Sequence, residues 1–209
     1  MESVRFQIFQ ASQDKKKIST NLMLCTAWIF TLLFLCIADQ YFTQNNSLNE
    51  FKYFYLLISG LTSVCWIIIG FWIYKPLNGE LKGYIEFNSG SFTIDEETFY
   101  LDDIRRFDMY GDDYYGRQTR QTALEFSPGL SQGVSNFFEF TDASNCMRKI
   151  YFKQTIKDQY RGLTSFFIAG IQTGKISFLR GIELLGLTDY YEIQEFKKKY
   201  NSNSQIPKV

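Results

Sequence analysis

Two long stretches without a charged residue, ISTNLMLCTAWIFTLLFLCIA between Lys17 and Asp39 and YFYLLISGLTSVCWIIIGFWIY between Lys52 and Lys75, restrict this chain more than any other feature. Each is close to the ~20 residues that a helix needs to cross the hydrocarbon of a bilayer. They predict transmembrane helices at 18–38 and 53–74, joined by an external loop at 39–52. The first run is too long for a signal-peptide core, lacks a small-x-small cleavage site and is followed closely by the second, so the hairpin is expected to stay in the membrane. Lys15, Lys16 and Lys17 precede the first span, Lys75 and Lys82 follow the second, and the loop holds only Lys52. The positive-inside rule therefore puts both termini, including the segment 1–17, in the cytosol. Tyr41, Phe42, Tyr53, Trp72 and Tyr74 fall where an interfacial aromatic belt would lie.

On the second span Ser59, Ser63 and Gly70 share a stripe, with Gly60 beside it, and such small residues let another helix approach closely. The partner is either the first span or a second copy, and the second case makes the chain a homo-oligomer. Neither span carries an ionisable residue, which argues against a transporter. A pore formed by several copies and lined by Thr20, Asn21, Thr26 or Thr31 is left open.

From Pro76 the pattern changes. LKGYIEF, SFTID and TFYLDDIRRFDMY alternate apolar with polar residues and are separated by turns at Asn88–Ser91 and Glu96-Glu97, which are strand and hairpin signals. Further strands are expected near 121–127, 134–141 and 146–153, giving a β-rich cytosolic domain over 76–154. Helical periodicity then takes over in 155–200, where Ile156, Tyr160, Leu163, Phe167 and Ile171 share one face. Asp189 and Glu192 form a capping-box pattern before a last helix with Ile193, Phe196 and Tyr200 inward, and 201–209 forms a tail.

The chemistry available is limited. The chain has 45% hydrophobic and 18% aromatic residues, equal numbers of basic and acidic residues (22 each) and no histidine. Ser-His and Cys-His nucleophile pairs are thus excluded, and no enzyme activity is expected. Cysteines at 25, 36, 65 and 146 show neither a disulfide framework nor a metal-binding spacing. No metal or cofactor is expected. Charge balance leaves no basic channel for a nucleic-acid polymer.

Met109-Tyr110-Gly111-Asp112-Asp113 superficially matches the metal-binding hairpin of a template-copying polymerase, but so small a domain cannot also grip template and nucleotide. The stretch is expected to be a hairpin tip, since Gly and Asp tolerate turn geometry. Around it Arg105, Arg106, Arg117 and Arg120 stand near Tyr110, Tyr114 and Tyr115. Arginines beside tyrosine faces suit a phosphate-bearing ligand such as a nucleotide; the alternative is ion pairing with neighbours such as Asp112 and Asp113. GIQTGKIS fails as a phosphate loop, because Ile176 stands where Ser or Thr must hold Mg²⁺.

A two-span hairpin running into GYIEFNSGSFTID and then TFYLDDIRRFDM, followed by more strands and terminal helices, resembles bacterial membrane proteins that carry pleckstrin-homology-like domains. The resemblance covers roughly 18–155 and rests most on YLDDIRRF. It implies an antiparallel β-barrel closed by a helix, in the bacterial cytoplasmic membrane, serving as a scaffold for partner proteins. The layout is also similar to small effectors of bacterial antiphage signalling, which couple two spans to a cytosolic β-barrel. That second resemblance implies binding of a cyclic nucleotide second messenger, oligomerisation and damage to the membrane.

Overall fold

The computed structural model describes residues 3–12, 26–31, 33, 34, 37, 46–120 and 128–201. Most of the first expected span, the lysines that precede it, the loop up to residue 45, the strand placed at 121–127 and the tail from 202 lie outside the described residues. The chain divides into two compact units, neither continuous in sequence. A sheet unit comprises Met1–Ser12, Leu77–Tyr115 and Gln132–Val209; a helical unit comprises Gln13–Pro76 and Gly116–Ser131.

In the sheet unit, β1 (Val4–Ala11), β2 (Gly79–Phe87), β3 (Ser91–Ile94), β4 (Glu97–Tyr100) and β5 (Ile104–Tyr110) precede β8 (Asn136–Asp142) and β9 (Met147–Lys153). They make one antiparallel sheet in the order β4-β3-β2-β1-β9-β8-β5. A separate two-stranded sheet pairs β6 (Tyr115–Gln118) with β7 (Leu130–Gln132). The N-terminal segment, to which the sequence reading assigned no strand, supplies the middle of the large sheet. VRFQIF alternates with period two, so Phe6 and Ile8 point into the core while Arg5 and Gln7 point out.

The core is mostly phenylalanine. Phe6, Phe87, Phe92, Phe107, Phe138, Phe140 and Phe152 are buried from the strands. The sheet curls, so that Phe92 of β3 meets Phe138 and Phe140 of β8 at 4.8 Å each, and Phe99 of β4 meets Phe140 at 5.0 Å. Helix Thr164–Gln172 closes the open side with Phe166, which lies 4.9 Å from Phe107 and 5.1 Å from Phe87. Edge-to-face contacts dominate this cluster, the arrangement that aromatic quadrupoles favour.

The expected barrel does not close. β4 and β5 are the two ends of the sheet, joined in sequence by a single 3-10 turn at Leu101–Asp103 but not by a ladder. The reason is visible on β5, whose outer edge is taken by the segment that follows the first helix. Phe107 N–H donates to the Lys175 carbonyl at 3.0 Å, the Lys175 ammonium to the Ile104 carbonyl at 2.7 Å, and the Arg180 guanidinium to the Met109 carbonyl at 2.7 Å. An edge strand covered in this way needs no partner strand. Burial works against the charge of Arg180, but hydrogen bonds to Asp108 and Glu183 outweigh it and hold its pKa above the ordinary arginine value.

The helical character expected after residue 155 resolves into a 3-10 turn at Gln159–Leu163 and helices Thr164–Gln172, Phe178–Leu185 and Tyr190–Asn201. Tyr160, Leu163 and Phe167 are buried as expected, whereas Ile156 is exposed. The Asp189 carboxylate accepts from the N–H groups of Tyr191 and Glu192, capping the last helix.

The helical unit holds one long helix, Asn46–Gly70, with an 18-residue apolar stretch from Tyr53 to Gly70. At 1.5 Å per residue that stretch is about 27 Å long, and only 6% of it is buried. The helix begins earlier than the expected span and ends earlier, at Gly70. Residues 26–31, 33, 34 and 37 are also helical, but among the described residues only the one helix is long and apolar enough to cross a bilayer. Ala27, Trp28 and Thr31 line one crevice with Ser59 and Ser63. Nothing lies near Gly60, and Gly70 faces the guanidinium of Arg120, which a Cβ there would strike.

The end of the long helix is tied down by residues on either side of 121–127. Its last carbonyls have no partner within the helix. Arg120 donates to the Ile67 carbonyl at 2.9 Å while its guanidinium lies over the Phe71 ring at 4.5 Å, and Gly129 N–H donates to the Gly70 carbonyl at 2.8 Å. A cation at a helix C-terminus is favoured by the helix dipole as well.

Candidate functional site

The stretch Gly111–Tyr114 is not a hairpin tip, because β5 pairs with β8 while β6 pairs with β7. It is a crossing held by buried polar groups. Asp113 is 4% exposed; its carboxylate accepts from Ser135 N–H at 3.0 Å, and its own N–H donates to the Asn136 side-chain oxygen at 2.9 Å. Asn136 in turn donates to the Gly133 carbonyl, and Gln154 donates to the Gly111 carbonyl. Asp113 is therefore a structural carboxylate that fixes the loop before β8. Asp112 is exposed. No group of three or more candidate metal ligands occurs among the described residues.

The arginine–tyrosine cluster separates. Arg105 lies on the edge strand and donates to Asn145 at 3.2 Å, and Arg106 is exposed opposite Thr141. Tyr110 stands at the other end of the same strand, four residues from Arg106, or about 13 Å at 3.3 Å per residue. Tyr114 is half-buried in the crossing and Tyr115 is exposed. Arg117 and Arg120 belong to the helical unit, where Arg120 caps the long helix.

Tyr110 belongs instead to an array that the sequence reading missed. The cross-strand register runs Tyr110↔Phe137↔Tyr151↔Phe9↔Leu81, an unbroken row over five strands on the outer face of the sheet. Tyr110 stacks on Phe137 at 5.8 Å and 19°, and Phe137 meets Tyr151 edge-on at 6.2 Å. Lys149 lies over two of these rings, 3.6 Å from the Phe137 centroid and 5.7 Å from that of Tyr151, while Lys153 is 5.2 Å from the centroid of Tyr115, outside the row. Arg5 is 3.7 Å from the Tyr84 centroid. Tyr151 is 40% exposed, against 0% for Phe152, the next residue on the opposite face.

The chemistry of this face is adhesive. It offers ring faces, hydroxyl tips and ammonium groups, with the cross-strand pair Asp108 and Glu139 held by Arg180 and Lys149. The pattern K-x-Y-x-K in CMRKIYFK, read at period two, was the available signal. Among described residues Cys65 and Cys146 are free thiols. In comparison with known proteins, no family model, curated protein or solved structure matches this chain.

Proposed function

We propose that this protein is a non-enzymatic, membrane-anchored binding module of the bacterial cytoplasmic membrane, in which a two-span hairpin holds a pleckstrin-like sheet unit whose outer face is the recognition surface. The observation that carries this reading is the outward-facing row from Tyr110 to Leu81, with the Lys149 ammonium over its Phe137 ring. Solvent-facing aromatic residues are enriched in recognition surfaces. The uncovered apolar stretch Tyr53–Gly70, with Tyr53 at one end and Trp72 just beyond the other, supports membrane anchoring. The antiparallel sheet covered by a helix supports the pleckstrin-like assignment, and its open edge is the departure from it.

The test replaces Tyr151 in the full chain with a photo-crosslinking amino acid and irradiates native membranes. Position 151 should form adducts, and the same probe at Tyr100 on β4 should form far fewer. Equal yields at the two positions would overturn the reading.

The second reading is nucleotide sensing that drives assembly of the spans, favoured by the exposure of Arg105 and Arg106. Under it a phosphate-bearing ligand at a hundred times its Kd stabilises the full chain by about 2.7 kcal/mol, and Arg105→Ala removes that gain. A flat melting response to a broad nucleotide panel ends this reading.

A further inference from the structure

We infer that the outer face of the sheet unit docks on the anionic headgroup layer of the bilayer, an inference that rests on that face being the recognition surface and goes on to name its occupant. The side chains fit that environment. Tyrosine and phenylalanine partition to the boundary between hydrocarbon and water, and lysine stems lie along apolar surface while their ammonium groups reach outward. Here the Lys149 and Lys153 ammonium groups lie over aromatic rings, 3.6 Å from the Phe137 centroid and 5.2 Å from that of Tyr115.

Connectivity favours the bilayer over a soluble partner. Phe9 and Leu81, which end the row, are close along the chain to Ser12 and Asn78, where Ser12 N–H donates to the Asn78 carbonyl at 3.0 Å. From these two residues the chain leaves the sheet for the helical unit that carries the apolar stretch. A surface tethered so near a bilayer meets it at high effective concentration, so weak contacts suffice.

The charges also fit. Of the face's carboxylates, Asp108 is held by Arg180 at 2.7 Å, Glu139 shares Lys149 at 3.8 Å and Glu86 stands opposite Arg5 in register. Lys153 and Arg5 lie over tyrosine rings on the same face. Anionic lipid attracts such basic groups within a Debye length of the surface.

The full-length protein is placed, one copy per disc, in nanodiscs of phosphatidylcholine with or without phosphatidylglycerol, and lysine acylation by a water-soluble reagent is mapped by mass spectrometry. Labelling of Lys149 and Lys153, relative to Lys197, Lys198 and Lys199 of the last helix, should fall about fivefold with anionic lipid, the ratio set by one basic group near such a surface. High salt should restore it. Tyr151→Glu should abolish the protection with the melting temperature unchanged, which separates docking from folding. Equal labelling in both lipids overturns the inference. Protection that needs two copies per disc assigns the face to a second copy, and full reactivity in every disc combined with protein adducts from position 151 assigns it to another protein. In both of those cases the lipid inference falls while the reading of the face stands; without adducts from 151, both fall.

Discussion

The apolar helix and the sheet core are built from the same kinds of side chain and expose them in opposite ways. Leu61 on the helix is 57% exposed and Phe138 in the sheet 0%. In the sheet unit, curvature and a covering helix remove apolar surface from water, and that burial drives folding. On the apolar stretch of the helix the described residues cover only 6%, the exposure that the proposed membrane anchor would need.

Substitution separates the two regimes most widely at those two positions. Phe138→Ala should destabilise the sheet unit by about 3–5 kcal/mol, the range for truncating a buried phenylalanine. Leu61→Ala should move the same thermal melt, followed in detergent by near-UV circular dichroism, by less than about 0.5 kcal/mol. Comparable losses would mean that the helix is packed against protein. Reversing the chemistry probes the other regime: Leu61→Arg should cost about 2.5–3.5 kcal/mol of membrane insertion, read as loss of the protein from carbonate-washed membranes, while Tyr151→Arg should leave insertion intact.

Much of the sheet unit was legible because period-two alternation survives wherever one face is buried. LKGYIEF, SFTI, IRRFDMY and the two strands from 136 to 153 could be placed in this way. β1 has the same alternation, yet its partners β2 and β9 lie far along the chain, and a short run ahead of a membrane span reads as an arm. The consequence is practical, since a fragment starting at residue 76 lacks the central strand. The site was less legible. Proximity in sequence gathered four arginines around Tyr110, but strand geometry spaces Arg105 and Arg106 from it, and Arg117 and Arg120 belong to the other unit. The row that replaces them is long-range in origin, because Tyr110, Phe137, Tyr151 and Phe9 become neighbours only through register.

The crossing after β5 lies between the regimes, since a carboxylate is buried there without a membrane or a metal. Asp113→Ala removes the buried carboxylate that accepts from the Ser135 N–H, and stability should fall by about 1.5–3 kcal/mol, the range for a hydrogen bond to a charged group. Asp113→Asn keeps an acceptor and should fall by less. A variant whose melt matches the wild type would show that the carboxylate does not hold the loop.

The smallest effect belongs to an exposed carboxylate and depends on pH. Asp142 accepts from Cys146 N–H at 2.9 Å and from the Ser144 hydroxyl at 3.0 Å, ordering the turn between β8 and β9. The Cys146 N–H is the main cause that holds its pKa below the ordinary 3.8. A carboxyl whose pKa is lower folded than unfolded stabilises fully above the unfolded value, and the gain is lost as pH falls through the folded value. Asp142→Asn should therefore melt below the wild type at neutral pH, with the gap closing as acid protonates Asp142 in the wild type. A gap that persists unchanged into acid would assign the effect to something other than the charge, because the protonated and the ionised Asp142 then serve the turn alike.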